Sequence, residues 1–365
     1  RYDMTRTNTA SKENPIKARE SRGQVLEWYA CEARELPWRI TPKQRASTGE
    51  LPNPYHVWLS EIMAQQTTLK AVIPYFLKFI DIWPSVHDLA AANQDNVMKE
   101  WAGLGYYARA RNLYACAKVI STEYGGEFPK AQVKLKTLPG IGDYTSAAIA
   151  SIAFGEYAAV MDGNVERVMA RLFDIHEPLP KSKPILKALT DQFFEEGDYN
   201  PGDLGQGLMD LGATVCTPKK PKCMLCPVHT RCDGYKAGTA EELPNKTKKK
   251  PRPKKMGYVY WAQNEAGQVW LERRDEKSML GGMLGLPTSE WTIDKNADHL
   301  SNFTGKKLGS IFHTFTHFDL ELFLVRVTGE IDTLPSHYSL YQTKDLEDAG
   351  FPSLFQKAYK AFISF

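Results

Sequence analysis

The spacing of apolar residues changes once along this chain of 365 residues, and the change falls at a run that has almost nothing to bury, residues 246–255 (KTKKKPRPKK). Before it the spacing is helical. Val25, Tyr29 and Ala33 recur at intervals of four, as do groups such as Ala148, Ile149 and Ile152, then Val165, Val168, Met169 and Leu172, and Leu204, Leu208 and Leu211. After it the period is two. Residues 258–261 and 269–273 read as short strands around a turn at 264–267, and Phe318, Leu320, Leu322 and Leu324 alternate with Asp319 and Glu321. The pattern predicts an all-α domain over residues 1–236, a basic linker over 237–256 and a smaller α+β domain over 257–365. Residues 41–53 lack periodicity and are expected to form an exposed loop; no internal repeat is visible.

A chain of this length supports two domains, each large enough for a core. No apolar run reaches membrane-spanning length and the N-terminal residues are polar, which predicts a soluble, cytoplasmic protein. The formal charge is +3, yet the basic run alone carries seven cationic residues, leaving the rest of the chain net acidic. Bulk charge therefore says nothing about nucleic acid, and any such surface must be local. The basic run itself reads equally as a solvated spacer or as a source of non-specific phosphate attraction.

Four cysteines, Cys216, Cys223, Cys226 and Cys232, form the pattern C-x6-C-x2-C-x5-C, with Pro218, Pro221 and Pro227 between them. Such a set can close a metal site. Structural zinc usually takes two C-x2-C-like pairs, and here only one such pair stands between spacers of six and five, so an iron–sulfur cluster fits better, with zinc and disulfides open. His229 is expected at the surface. Cys31 and Cys116 lie in apolar, helix-patterned segments and are expected to be buried thiols.

Residues 138–142 (LPGIG) run straight into a helix pattern at Asp143. A tight turn with two glycines at a helix N-terminus exposes amides that can hold a phosphate, although alone it reads more readily as an ordinary interhelical turn. Asp162, in residues 160–165 (VMDGNV), stands just before another helix.

With these motifs the chain resembles the helix-hairpin-helix DNA glycosylases of the endonuclease-III-like superfamily, and within it the adenine DNA glycosylases of the MutY type. The resemblance runs through residues 36–39 (LPWR), 58–63 (WLSEIM), 65–67 (QQT), 103–107 (GLGYY), the hairpin, 162–164 (DGN) and the four cysteines, in the family's order. It implies a monofunctional glycosylase that removes adenine paired with 8-oxoguanine or guanine in double-stranded DNA, acts as a monomer and carries a [4Fe-4S] cluster on Cys216, Cys223, Cys226 and Cys232. Bifunctional relatives place a lysine where this chain has Tyr144; a tyrosine cannot form their Schiff base, so base removal without strand cleavage is expected.

By the resemblance Glu61 protonates adenine and activates water, Asp162 stabilises the cationic sugar, and Tyr144 and Asn164 orient Asp162. The residues suit this division. Apolar neighbours should keep a proton on Glu61, and the helix start should favour the anion of Asp162, although a solvated helix face and a plain N-cap are the bland alternatives. Arg34, Leu36, Trp38, Arg39, Ala64 and Gln206 match the adenine pocket, where Ala64 replaces the usual leucine. Gln65, Gln66, Thr67, Leu104, Gly105, Tyr106, Leu138, Gly140 and Gly142 match DNA-contacting positions, with Tyr106 the wedge candidate or else a core tyrosine.

The C-terminal half is similar to a Nudix-like domain but has no R-E-x-x-E-E helix, so hydrolase activity is not expected. Phe315, Thr316 and His317 match a loop that senses 8-oxoguanine, with threonine in place of serine. The competing readings are a bifunctional glycosylase/lyase, a silent iron–sulfur DNA-binding scaffold and, for the second domain, passive stabilisation.

Overall fold

The computed structural model describes residues 13–247, 251–293, 303–328 and 337–365. The chain divides into two compact units, Arg1–His87 with Cys116–Lys248 and Asp88–Ala115 with Lys249–Phe365. Residues 88–115, assigned from sequence to the helical domain, thus group with the C-terminal residues. Among the described residues no helix is long and apolar enough to cross a membrane.

The first unit is helical: α1 (Glu13–Glu32), α2 (Pro42–Thr48), α3 (Pro54–Ala64), α4 (Leu69–Ile82), α8 (Gln132–Leu135), α9 (Asp143–Phe154), α10 (Gly163–Leu172), α11 (Lys183–Phe193), α12 (Pro201–Thr214) and α13 (Asp233–Lys236). Between α4 and α8 come α5 (Val86–Ala91), α6 (Gln94–Trp101) and α7 (Ala108–Glu123). The loop expected over residues 41–53 contains α2, because Thr41 and Gln44 form a capping box around Pro42 at the first helical position. Its turn is short and has no buried residue, which is why apolar periodicity missed it. Cys31 is exposed rather than buried, on the outer side of α1, whereas Cys116 is buried and its thiol is pushed up to about 12 by that burial.

At the centre lies α12, buried from Pro201 to Gly212. It packs on α1, α9 and α10. Two glycines make these approaches possible: a Cβ on Gly207 would stand 3.1 Å from Tyr29 of α1, and one on Gly212 would stand 2.6 Å from the Cβ of Asn164 on α10. The expected spacer is in part bound to this unit. Arg171 Nε donates to the Leu243 carbonyl at 2.9 Å, and Leu179 N to the Asn245 carbonyl at 2.9 Å. Residues 248–250 of the basic run lie outside the described residues.

Among its described residues the second unit carries two three-stranded sheets. In one, β1 (Lys254–Trp261) runs parallel to β5 (Asp319–Val327), which pairs antiparallel with β4 (Gly305–Thr314); in the other, β2 (Gln268–Arg273) lies between β3 (Leu284–Gly285) and β6 (Tyr338–Gln342). Alternation on β5 turns Leu320, Leu322 and Leu324 into a core closed by Leu354, Phe355, Ala358 and Phe362 of α14 (Ser353–Ile363). Pairing of Thr314 with Asp319 leaves residues 315–318 as the tip of a hairpin.

Replacing Gly212 by alanine should lower the stability of the helical unit by about 1–3 kcal/mol, since the methyl group must push α12 away from α10. An unchanged thermal midpoint of that unit would show that the approach is not tight.

Candidate active site

The starts of α9 and α10 and the last turns of α3 converge on a cavity of about 1000 Å³ in the first unit. Its walls include Glu61 and Ala64 from α3, Tyr144 and Thr145 from α9, Asp162 and Asn164 from the start of α10, Met209 from α12, and Arg34, Leu36, Trp38 and Arg39 from the segment after α1. These positions are far apart in order, and the packing of α3, α9 and α10 brings them together. Asn53 and Pro54 start α3, so that seven residues on it can be buried while Glu61 reaches the cavity.

The Tyr144 hydroxyl donates to Glu61 Oε2 at 2.6 Å and also lies 3.4 Å from Met209 Sδ. Tyr144 therefore serves Glu61, not Asp162 as expected, because the buried glutamate needs a donor and α9 supplies it. Burial raises Glu61 to about 7; the nearby Asp162 adds to the rise, while the Tyr144 hydrogen bond and Arg39 oppose it. Glu61 is a proton-holding acid near neutral pH.

Asp162 is the N-cap of α10. Its Oδ1 accepts from the amides of Asn164 at 2.9 Å and Val165 at 2.8 Å, and its Oδ2 from Asn164 Nδ2 at 2.8 Å. Asn164 thus holds the Asp162 carboxyl group by both its amide and its side chain. The anion is less favoured than the helix start suggested: burial raises Asp162, and these hydrogen bonds with Arg167 only oppose that rise. Desolvation outweighs the cap.

Two side chains absent from the sequence reading complete the site. Asp210 of α12 is fully buried and accepts from Arg34 Nε at 2.7 Å, the Arg34 amide at 3.0 Å and Arg39 Nη1 at 2.7 Å, so one carboxylate holds both pocket arginines. Arg167 donates to Asn164 Oδ1 at 2.8 Å, to the Gly212 carbonyl at 2.6 Å and to the Cys216 carbonyl at 2.7 Å. Both were visible in principle, Asp210 as an acid among Leu208, Met209 and Leu211, and Arg167 as a base beside Val168 and Met169.

Trp38 is braced edge-on by Phe76 at 5.1 Å. Gln206 does not join the wall, since its buried amide donates to the Gly202 carbonyl at 3.2 Å one turn back on its own helix. Gln65, Gln66, Thr67, Gly140 and Gly142 line the same cavity, with Gln65 Nε2 donating to Thr145 Oγ1 at 3.1 Å. Leu138 is buried beneath the hairpin.

Leu104, Gly105 and Tyr106 belong to the second unit. Tyr106, with φ +49, is 45% exposed while Tyr107 is 5% exposed, so Tyr107 is the core member of the pair. In that unit Tyr106 Oη lies 2.7 Å from Thr316 Oγ1 at the β4–β5 tip. Phe315 is anchored there against Trp291 at 5.7 Å and Phe318 at 4.9 Å, and Thr316 and His317 are exposed.

Cys216, Cys223, Cys226 and Cys232 are all free thiols lining one small cavity with Arg171 and His229. His229 is partly exposed in the cysteine loop, its Nδ1 lying 2.8 Å from the Cys226 carbonyl. Arg171 Nη1 donates to Cys216 Sγ at 3.3 Å, a charged contact of the kind that tunes a thiolate-bound group. Among the described residues no three such side chains form a group close enough for a single metal ion. Four unpaired thiols around one space suit a larger cysteine-held group, and this set is consistent with an iron–sulfur centre.

Residues 59–193 match the HhH-GPD superfamily of base excision DNA repair proteins, and residues 258–361 match the NUDIX domain family. The chain is 33% identical to an adenine DNA glycosylase of Buchnera aphidicola from Schizaphis graminum, over 93% of this chain and 97% of that one. It is 30% identical to the human adenine DNA glycosylase, over 93% of this chain and 73% of that one. A solved thermostable thymine-DNA glycosylase aligns with a TM-score of 0.53 at 30% identity, covering 62% of this chain and 99% of its own.

Changing Tyr144 to phenylalanine removes the hydrogen bond that holds Glu61 down, so the Glu61 titration should move above about 7. Infrared difference spectra of the carboxyl stretch against pH report it; a midpoint that stays or falls would contradict the pairing.

Proposed function

The chain belongs to the adenine DNA glycosylase family of HhH-GPD base excision repair proteins, and from that premise we propose that it hydrolyses the N-glycosidic bond of adenine extruded from duplex DNA, preferring adenine opposite 8-oxoguanine. The observation that carries the reading is the Tyr144–Glu61 hydrogen bond in a cavity that Asp162 also lines.

Extrusion costs a few kcal/mol of stacking and pairing, and the cavity must repay part of it. Leu36 and Trp38 offer apolar walls to a purine, and Arg34 and Arg39, held by Asp210, are polar groups that need no reordering when it enters. Glu61, protonated below about 7, gives its proton to a ring nitrogen of the base and turns a poor leaving group into a neutral one. The glycosidic electrons leave with adenine and positive charge grows on the sugar. Asp162, steered by Asn164 and the Val165 amide, faces that charge as an anion, and the ionised Glu61 then takes a proton from the attacking water. Tyr144 has no amine with which to cut the strand.

Tyr106 and Thr316 support the preference for 8-oxoguanine. Both are exposed, and their hydroxyls are within hydrogen-bond reach in one unit, so a stacking ring and a polar probe are presented together. The methyl group of Thr316 limits its rotamers but leaves the hydroxyl. We assign a [4Fe-4S] cluster to Cys216, Cys223, Cys226 and Cys232. Bound there, such a cluster would cross-link the four cysteines of this loop, and Arg167, which touches both the Cys216 carbonyl and Asn164, links the loop to the residue that holds Asp162. Iron and acid-labile sulfide in the purified protein support the cluster, and zinc alone would refute it.

A duplex with one 8-oxoguanine·adenine pair, treated with hot alkali after incubation, should be cut at the adenine only after alkali. Cutting without alkali favours the bifunctional reading, and no cutting favours the silent scaffold. Glu61→Gln and Asp162→Asn should each abolish the product, and parent rates in both would sink the mechanism.

Because the reactive form of Glu61 is the protonated one, the single-turnover rate should fall about tenfold per pH unit above its value near 7, and a flat profile would exclude it as the acid. Thr316→Ala should cut the preference for 8-oxoguanine over guanine by roughly threefold to tenfold, the worth of one hydrogen bond. An unchanged ratio would remove Thr316 from recognition.

A further inference from the structure

We propose that Arg111, assisted by Arg273, is a positioning residue for mispair preference, because it holds the segment that bears Tyr106 onto the loops of the C-terminal sheets. The inference rests on the 8-oxoguanine reading above and adds residues that no part of it uses.

Residues 88–115 find their packing partners among C-terminal residues. Arg111 Nη1 donates to the Gly281 carbonyl and Nη2 to the Glu276 carbonyl at 3.2 Å, so one guanidinium grips two points of the loop between β2 and β3. Gly282, at φ +75, leaves room for it: a Cβ there would stand 3.2 Å from Arg111 Cδ. Arg273 reaches the opposite way, pairing with both Asp95 carboxylate oxygens at 3.1 Å and donating to the Gly282 carbonyl at 3.1 Å. The same loop thus receives an arginine from the segment and lends support to an arginine that binds the segment.

The path to Tyr106 is short. The Arg111 amide donates to the Tyr107 carbonyl at 3.2 Å and the Arg109 amide to the Tyr106 carbonyl at 2.8 Å, so the first turn of α7 and the loop before it move as one. Gly105 at φ +71 and Tyr106 at φ +49 fix the loop's shape, and Arg109 Nη2 caps the Leu104 and Gly105 carbonyls at 3.1 and 3.2 Å. A shift of α7 away from residues 276–282 therefore carries Tyr106 Oη off Thr316 Oγ1, now 2.7 Å away.

The two arginines are not equal. The Asp95–Arg273 pair is 61% and 41% exposed and is screened by salt, whereas Arg111 holds uncharged carbonyls that salt does not compete for. Arg111 carries more of the effect.

The test is single-turnover excision by the full chain from two duplexes that differ only in the base opposite adenine, 8-oxoguanine or guanine. Arg111→Ala should lower the parent's preference roughly threefold to tenfold while excision opposite guanine is largely kept, Arg111→Lys should fall between, and Arg273→Ala should do less. A merely structural role would slow both substrates alike and leave their ratio intact, which overturns the proposal. A parent without preference would overturn the 8-oxoguanine reading and this inference together; a parent with preference and an unaltered ratio in Arg111→Ala overturns this one alone.

Discussion

A helix with no side facing water imposes strict terms on its neighbours, and α12, buried from Pro201 to Gly212, imposes them on the whole helical unit. Three helices must approach it closely, and each polar group on it must find a partner inside. Gly207 and Gly212 meet the first demand by removing the Cβ where Tyr29 and Asn164 press in. Asp210 meets the second by drawing Arg34 and Arg39 inward, which turns a buried charge into the rigid wall of the cavity. Loss of Asp210 would leave the buried Arg39 guanidinium uncompensated, at a cost of about 3–5 kcal/mol.

The same packing sets the chemistry apart on two carboxyl groups of one cavity. Burial raises both, but their hydrogen-bond supplies differ: Glu61 receives one phenolic donor, and Asp162 receives two amides and an asparagine. That inequality is what lets the proposed reaction use Glu61 as proton holder and Asp162 as charge stabiliser. Met209 of α12 touches Tyr144 and the Gly212 carbonyl takes Arg167, so both carboxyl groups are referred to one helix. Arg167 and Arg171, one turn apart on α10, extend the frame to the cysteine loop.

The second unit matches the NUDIX domain family, and its sequence holds no R-E-x-x-E-E pattern of the kind that would bind a metal for pyrophosphate chemistry. What it offers is a hairpin tip whose aromatic root, Phe315 against Trp291 and Phe318, is anchored and whose polar end is exposed. Packing of residues 88–115 beside this hairpin gives that fold a hold on a loop that comes from the helical half of the sequence.

Much was legible beforehand. The change of period separated helices from strands because apolar residues must share a face whatever they pack against. Local motifs marked the hairpin, Asp162 and the four cysteines, since capping, hairpin and ligand spacing are short-range properties of the chain, whereas Glu61, Tyr144 and Asn164 were picked out by the family resemblance. The capping box at Thr41 and Gln44 was equally local, but too few residues followed it to show a period. The sequence left open which donor serves which carboxyl group, that Gln206 turns back on its own helix, that Asp210 ties two arginines, and that residues 88–115 pack with the far end of the chain. Those choices depend on desolvation and on distances between residues far apart in order, quantities that exist only once the helices have packed.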